Sequence, residues 1–295
     1  MMMIGKNGGK YNINAMILCG LVFFVIAATG FCMVVNSRED AKARAEIEAQ
    51  KKAEAEAAAA AKKAAEERAK SLSLQPGVPV GTTEAKEGEK VVYLTFDDGP
   101  SENTEAVLDI LAQYDAKATF FITGQEEKYR YLIKEAYDAG HTIGLHSYTH
   151  EYDQVYASVD AYFEDLDKIG QVAEEQIGFV PCFIRFPGGA SNTVSAKYSK
   201  GIMSQLVDLV QEKGYQYYDW NISSGDGESG TTKDEIIKNS ETDEYSHVMI
   251  LFHDTAAKDA TVEALPDILE YYKNLGYEFR AIDRDSYVVH HGTNN

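Results

Sequence analysis

The sequence predicts an α/β fold of barrel type, from three observations. Seven short apolar runs follow residue 90, helical patterns fall between most of them, and polar clusters stand at the carboxyl ends of the runs. Val91–Phe96, Ala118–Thr123, Thr142–Leu145, Val180–Phe186, Tyr215–Ile222, His247–Phe252 and Tyr277–Ile282 read as strands. Glu105–Tyr114, Gln125–Ala139, Val159–Glu175, Ile202–Lys213, Lys233–Asn239 and Val262–Asn274 read as helices. Repeated β-α order argues for parallel strands, and seven strands without a glycine-rich phosphate loop favour a barrel over a doubly wound sheet.

The chain ahead of this domain, 91–290, divides by composition. Residues 1–14 carry Lys6 and Lys10 and no acid, and residues 15–35 are uncharged and mainly apolar. As a helix rising 1.5 Å per residue, such a stretch crosses a hydrocarbon core of roughly 30 Å. Arg38, Glu39 and Asp40 follow with mixed sign, so the positive-inside tendency expects a single-pass anchor with residues 1–14 cytoplasmic and the rest extracellular. A cleaved signal peptide is the alternative, but the run exceeds an h-region of about 7–15 residues and lacks a clear A-x-A site. Residues 38–70 are almost entirely Ala, Glu, Lys and Arg, with Glu48/Lys52 and Glu66/Lys70 at the supportive i,i+4 spacing. Ile47 is the only large aliphatic residue there, so a monomeric helical spacer reaching roughly 50 Å is expected rather than a coiled coil. Residues 71–90, with Pro76-Gly77-Val78-Pro79, read as a linker.

The net charge of −19 is carried wholly by the domain, since the residues before Val91 are slightly positive on balance. So acidic a surface repels phosphate backbones, which argues against a nucleic-acid partner and leaves a neutral or cationic glycan compatible. Cys182 stands alone in the domain, so no disulfide framework can be drawn there, and it reads as a small buried hydrophobe.

Loops at the carboxyl ends of strands converge on a site in α/β folds, and five clusters lie there. In Thr95-Phe96-Asp97-Asp98-Gly99-Pro100 adjacent carboxylates point in different directions, so one can bind a metal while the other acts as general base; a plain turn is the alternative. In His146-Ser147-Tyr148-Thr149-His150 two imidazoles share one face if the segment makes a helical turn, and can grip one divalent ion. Arg185-Phe186-Pro187-Gly188-Gly189 offers a guanidinium for a bidentate carboxylate pair, lowering that carboxyl's pKa, and a flexible backbone whose N–H groups can approach an oxyanion. Asp226, with Leu251-Phe252-His253-Asp254, supplies a histidine that an acidic neighbour can keep protonated for donation to a leaving amine. His141, His247, His290 and His291 fall at strand starts or in the C-terminal tail, away from the face where a site would form, and receive no role.

Taken in order, these clusters resemble the polysaccharide deacetylases of the NodB homology type, carbohydrate esterase family 4, over roughly Val91 to Ile282. The resemblance implies a distorted (β/α)7 barrel. It implies Asp97 as catalytic base, Asp98, His146 and His150 as the metal triad, and Arg185 as the residue orienting the base. It further implies His253 as catalytic acid tuned by Asp226, Leu251 at the acetyl-methyl pocket and the Gly188 N–H as oxyanion donor. Where the family often has tryptophan after the tuning aspartate, this chain has Gly227, which puts the pocket's shape in question. Trp220 reads either as a groove residue or as core, and Tyr148, Tyr152 and Phe186 are candidates to stack on sugar faces. The ion expected is one Zn2+, with Co2+, Ni2+ or Mn2+ fitting the same ligands. N-acetylglucosamine of peptidoglycan is the expected substrate, N-acetylmuramic acid and other N-acetylated glycans being alternatives. An O-acetyl esterase and a silent glycan-binding, wall-tethering protein are the rival functions; intact motif residues argue against the second.

Overall fold

The computed structural model describes the backbone of residues 13–295 and the side chains from residue 37 onward, Glu39 excepted. It divides into two compact units, one ending at Glu66 and one spanning Glu67–Asn295. Helix α1 (Ile13–Leu72) provides nearly all of the first. The side chains of the apolar stretch 15–35 lie outside the described residues; among those described, no helix is long and apolar enough to cross a membrane. The spacer helix carries the i,i+4 pairs Lys42–Glu46, Lys52–Glu56 and Lys62–Glu66, all exposed, each worth only a few tenths of a kcal/mol (about 0.3–0.5).

The second unit begins ahead of Val91, because the end of α1 is built into it. Leu72 is buried, Arg68 lies over the Tyr137 ring and donates to the carbonyls of Tyr137 and His141, and Leu74 N donates to Val180 O. Its elements are β1 (Val91–Asp97), α2 (Thr104–Gln113), β2 (Ala118–Thr123), α3 (Tyr131–Asp138), β3 (Thr142–Ser147), α4 (Tyr152–Val155), α5 (Val159–Ile177), β4 (Phe183–Ile184), α6 (Ile202–Glu212), β5 (Gln216–Tyr217), β6 (Ile222–Ser223), α7 (Lys233–Ser240), β7 (His247–His253), α8 (Asp259–Asn274) and β8 (Glu278–Phe279). The strands form one parallel sheet in the order β5-β4-β3-β2-β1-β7-β6, with β8 pairing the start of β1. No ladder among the described residues joins β5 to β6, so the expected seven-stranded barrel is open there. The C-terminal tail meets that gap: Asp219 N donates to Val289 O and His291 N to the Asp219 carboxylate.

Continuous apolar runs make β1 and β7 central strands buried on both faces. Alternation then sorts their side chains. Val92, Leu94 and Phe96 of β1 and Val248, Ile250 and Phe252 of β7 join the core beneath the helices, where Phe96 stacks between Phe120 and Phe252 at 5.2 and 5.3 Å. Val91, Tyr93 and Met249 face the other way, with Phe121, Phe183 and Tyr218. The same parity carries Asp97, His253 and Arg185 onto this inner face, two or four residues beyond its apolar members, at the carboxyl ends of three strands.

Helix ends follow local chemistry. Ser158 caps α5 through its hydroxyl, and Gly178, at φ +84°, ends it in the left-handed conformation that glycine adopts without strain. Thr232 and Glu235 form a capping box at α7.

Candidate active site

Asp97 closes β1 and sits in register with His253 at the end of β7. Its carboxylate is buried and accepts 2.9 Å from Arg185 Nη1. The pair is not bidentate. Nη1 also donates to Thr95 Oγ1 at 2.7 Å, while Nε and Nη2 donate to the carbonyls of Tyr218 and Asp219, and the guanidinium lies over Phe121. Burial pushes the Asp97 carboxyl above the usual range, against the pull of Arg185, His253 and His150. The lowering expected from the arginine alone is therefore reversed: desolvation outweighs a single charge-assisted contact. The result favours a stronger base.

Asp98 turns the chain away at φ +72° and His150 does the same at φ +57°. Only one other described non-glycine residue, Asp115, has a positive φ, and conformations costing on the order of 1–3 kcal/mol persist where the surroundings impose them for a purpose. The two histidines converge through a strand end and this left-handed residue, not through the helical turn expected from their spacing. Asp98 Oδ1 lies 3.4 Å from His146 Nε2 and 3.3 Å from His150 Nε2, and all three ligand atoms fall within 4.8 Å of one another. Yet Asp98 Oδ1 is buried with no hydrogen-bond partner. The edge of a tetrahedron whose corners stand about 2.0–2.1 Å from a central ion is about 3.3–3.4 Å, so these residues fit a divalent ion. His146 Nδ1 donates to Arg185 O at 2.8 Å, which leaves the Nε2 lone pair facing Asp98, and burial drives the imidazole pKa down to about 3, so it stays neutral.

His253 Nδ1 stands 2.8 Å from Asp226 Oδ1, and the second Asp226 oxygen accepts from His253 N and Thr261 Oγ1. Burial alone would lower the His253 pKa, but the Asp226 hydrogen bond and charge, with Asp97 and Asp98, raise it above its ordinary value. Asp226 is held low despite burial by the same contacts.

The sequence profile described as Polysaccharide deacetylase matches residues 84–206. A peptidoglycan-N-acetylglucosamine deacetylase of Bacillus cereus is 35% identical over 205 residues, 67% of this chain and 71% of that protein. The chain belongs to the polysaccharide deacetylase family. A Bacillus subtilis peptidoglycan-N-acetylmuramic acid deacetylase is 32% identical over 198 residues, 66% of this chain and 71% of the relative. The crystal structure of the catalytic domain of a Eubacterium rectale peptidoglycan N-acetylglucosamine deacetylase matches with a TM-score of 0.69 at 39% identity, covering 72% of this chain and 98% of that one. The polysaccharide deacetylase thus has the NodB-type fold as an open parallel half-barrel, and it is a hydrolase.

Around the deacetylase's central residues, the remaining candidates separate. Leu251 lies two residues before His253 on the same face of β7 and is buried. Gly188 is exposed at φ +76° in the loop after β4. A Cβ at Gly227 would stand 3.1 Å from His253 Cε1, so the glycine leaves one face of that imidazole uncovered. Trp220 packs against Gly189 and His291, half-buried. Tyr148 is half-buried with its ring laid against Gly124. Phe186 is a correction: it is 1% exposed and packs between Tyr162 and Tyr217, so it cannot stack on a sugar. His291 is another, since its ring lies against Trp220 and contacts Ser191 in the loop after β4, rather than away from the site.

Sequence reasoning missed Asp165. From α5 its carboxylate accepts from Ser147 Oγ, Tyr148 N, Thr149 N and Thr149 Oγ1 at 2.7–2.9 Å, shaping the turn that leads from His146 at the end of β3 to His150. Asp165→Ala leaves buried donors unpaired, costing about 3 kcal/mol, and should weaken the binding of any divalent ion at the Asp98, His146 and His150 cluster by about 10–100-fold. Thermal melts and a zinc titration check both.

Proposed function

We propose that this deacetylase hydrolyses the N-acetyl group of N-acetylglucosamine units in peptidoglycan, with one divalent ion, zinc first among candidates, held by Asp98, His146 and His150. The observation that carries the reading is the buried, unpartnered Asp98 oxygen between two imidazole nitrogens, with a base and an acid on adjoining strand ends. When bound, such an ion supplies Lewis-acid activation of water and of the acetyl carbonyl. Asp97 takes the proton of the attacking water, the Gly188 N–H donates to the developing oxyanion, and His253 gives a proton to the departing sugar amine. Acetate and a free glucosamine amine result. The names of the relatives support peptidoglycan as substrate, with N-acetylglucosamine ahead of N-acetylmuramic acid. A monomer held to the outside of the cell membrane by residues 15–35, its spacer carrying the domain toward the wall, suits a substrate that surrounds the cell.

Incubating the full chain with purified peptidoglycan and with N-acetylglucosamine oligomers, while measuring acetate and free amine together, tests the reading. Equal amounts of both products support it. Acetate without amine identifies an O-acetyl esterase, and no product from either substrate removes the N-acetylglucosamine assignment.

The His253 pair predicts a pH profile. The acid form is present below its raised pKa and lost as pH rises through it, so kcat/KM falls on the alkaline side. Asp226→Asn removes the charge that chiefly opposes burial, leaving the smaller pull of Asp97 and Asp98 to raise the His253 pKa. The alkaline limb then moves to lower pH and the plateau falls about 10²-fold. An unmoved limb assigns it to another group.

A further inference from the structure

Two hydrogen-bond donors that the fold leaves unused meet beside the Asp98, His146 and His150 cluster. Tyr152 opens α4 two residues after His150, and its ring stands edge-on to that imidazole, centroids 5.9 Å apart at 88°. Among the described residues its hydroxyl makes no hydrogen bond, whereas Tyr156, one turn later, donates to Pro187 O at 2.8 Å. That bond, with the 5.6 Å contact between the two tyrosine rings, ties α4 to the loop after β4. The Tyr152 hydroxyl is thereby set against Gly188, where a Cβ would fall 2.6 Å from the phenolic oxygen. No residue with a side chain fits at 188 without displacing it. The Gly188 N–H has no acceptor among the described residues either, while the next N–H, of Gly189, donates to Phe186 O.

Gly188 is exposed and Tyr152 half-buried, so both donors are open to solvent and to whatever binds at this edge of the site. A phenol is protonated at neutral pH and offers one donor, and the backbone N–H offers another from across the same small volume. Two carboxylates, Asp97 and Asp98, already occupy the nearby strand end, so an oxygen gaining negative charge needs donors on its other side.

We propose that the Tyr152 hydroxyl is a catalytic residue, donating a hydrogen bond to the acetyl oxygen as the carbonyl becomes tetrahedral, alongside the Gly188 N–H. This rests on the deacetylase mechanism given above. No bond to Tyr152 forms or breaks; the phenol keeps its proton throughout. Tyr152→Phe retains the ring and its packing and removes only the donor.

Full-length parent, Tyr152→Phe and Asp97→Asn chains, compared on an N-acetylglucosamine oligomer, test the assignment through acetate release, zinc content and melting temperature. Tyr152→Phe should lower kcat by about 10²-fold with KM, zinc content and melting temperature unchanged. A kcat within twofold of the parent overturns the inference, as does a rise in KM alone, which marks a hydroxyl that binds substrate equally in the ground and transition states. Loss of zinc or of thermal stability also overturns it, since the tyrosine then builds the site. The mechanism itself fails separately, if Asp97→Asn stays active.

Discussion

With asparagine at position 97, acetate release slows by about 10³-fold or more while the fold and the bound ion remain as in the parent. Asparagine has the shape of aspartate but takes up no proton, so the loss isolates the base function. Structural collapse is guarded against by the other anchors of Arg185: the hydroxyl of Thr95 and the carbonyls of Tyr218 and Asp219 hold the guanidinium whatever stands at 97. The effect should appear in kcat and kcat/KM alike, as expected when an interaction made only in the transition state is removed. Single-turnover acetate release, with zinc analysis on the same sample, measures it. A variant within tenfold of the parent would mean that some other group accepts the water proton. The parent's acid limb provides a second readout. Burial holds the Asp97 carboxyl above its ordinary range, so activity rises as pH passes that raised value, and this limb disappears in the variant.

The parts of this site legible in the sequence are those that depend on one strand at a time. Asp97, Arg185 and His253 each end a run whose alternation alone decides which face they join. Phe186 shows the same rule left unapplied: it follows Ile184 by two, Ile184 lies under the helices, and so does Phe186. What the sequence concealed depends on contacts between distant segments. Asp165 looks like Asp160 and Asp167 in the same amphipathic helix, and only the packing of α5 on β3 buries it against the histidine loop. Thr95 looks like any strand threonine until Arg185 reaches it from the end of β4, 90 residues along the chain. The run 180–186 shrinks to a two-residue ladder, and 215–222, expected as one strand, divides between β5 and the start of β6 at opposite ends of the sheet, for a related reason. Pro187 has no N–H to continue β4, and the carbonyls of Tyr218 and Asp219 accept from Arg185 instead of from a neighbouring strand. The demands of the site thus break the regular structure that a local pattern predicts.

Stripping divalent ions with a chelator takes acetate release to background, and returning zinc restores it. The geometry makes this the sharpest dependence in the molecule. Without an ion, a buried carboxylate oxygen has no partner and two left-handed residues carry backbone strain that nothing repays. Because His146 is already neutral and its Nδ1 proton already committed to Arg185 O, no deprotonation of that ring opposes binding. An ion bound there would therefore stabilise the folded state directly. At a free zinc concentration of about 1,000 times the dissociation constant the gain is about 4 kcal/mol, which for a domain of this size corresponds to a melting temperature about 10 °C higher than in the stripped protein. Asp98→Asn should remove most of that difference while leaving the stripped protein's own melting temperature within a few degrees of the parent, since the substitution also relieves the unpaired charge. Reconstitution with Co2+, Ni2+ or Mn2+ in turn ranks the ions by rate. If the chelated chain kept more than about a tenth of its acetate release, or melted at the same temperature with and without zinc, the cluster of Asp98, His146 and His150 would have to be explained without a metal.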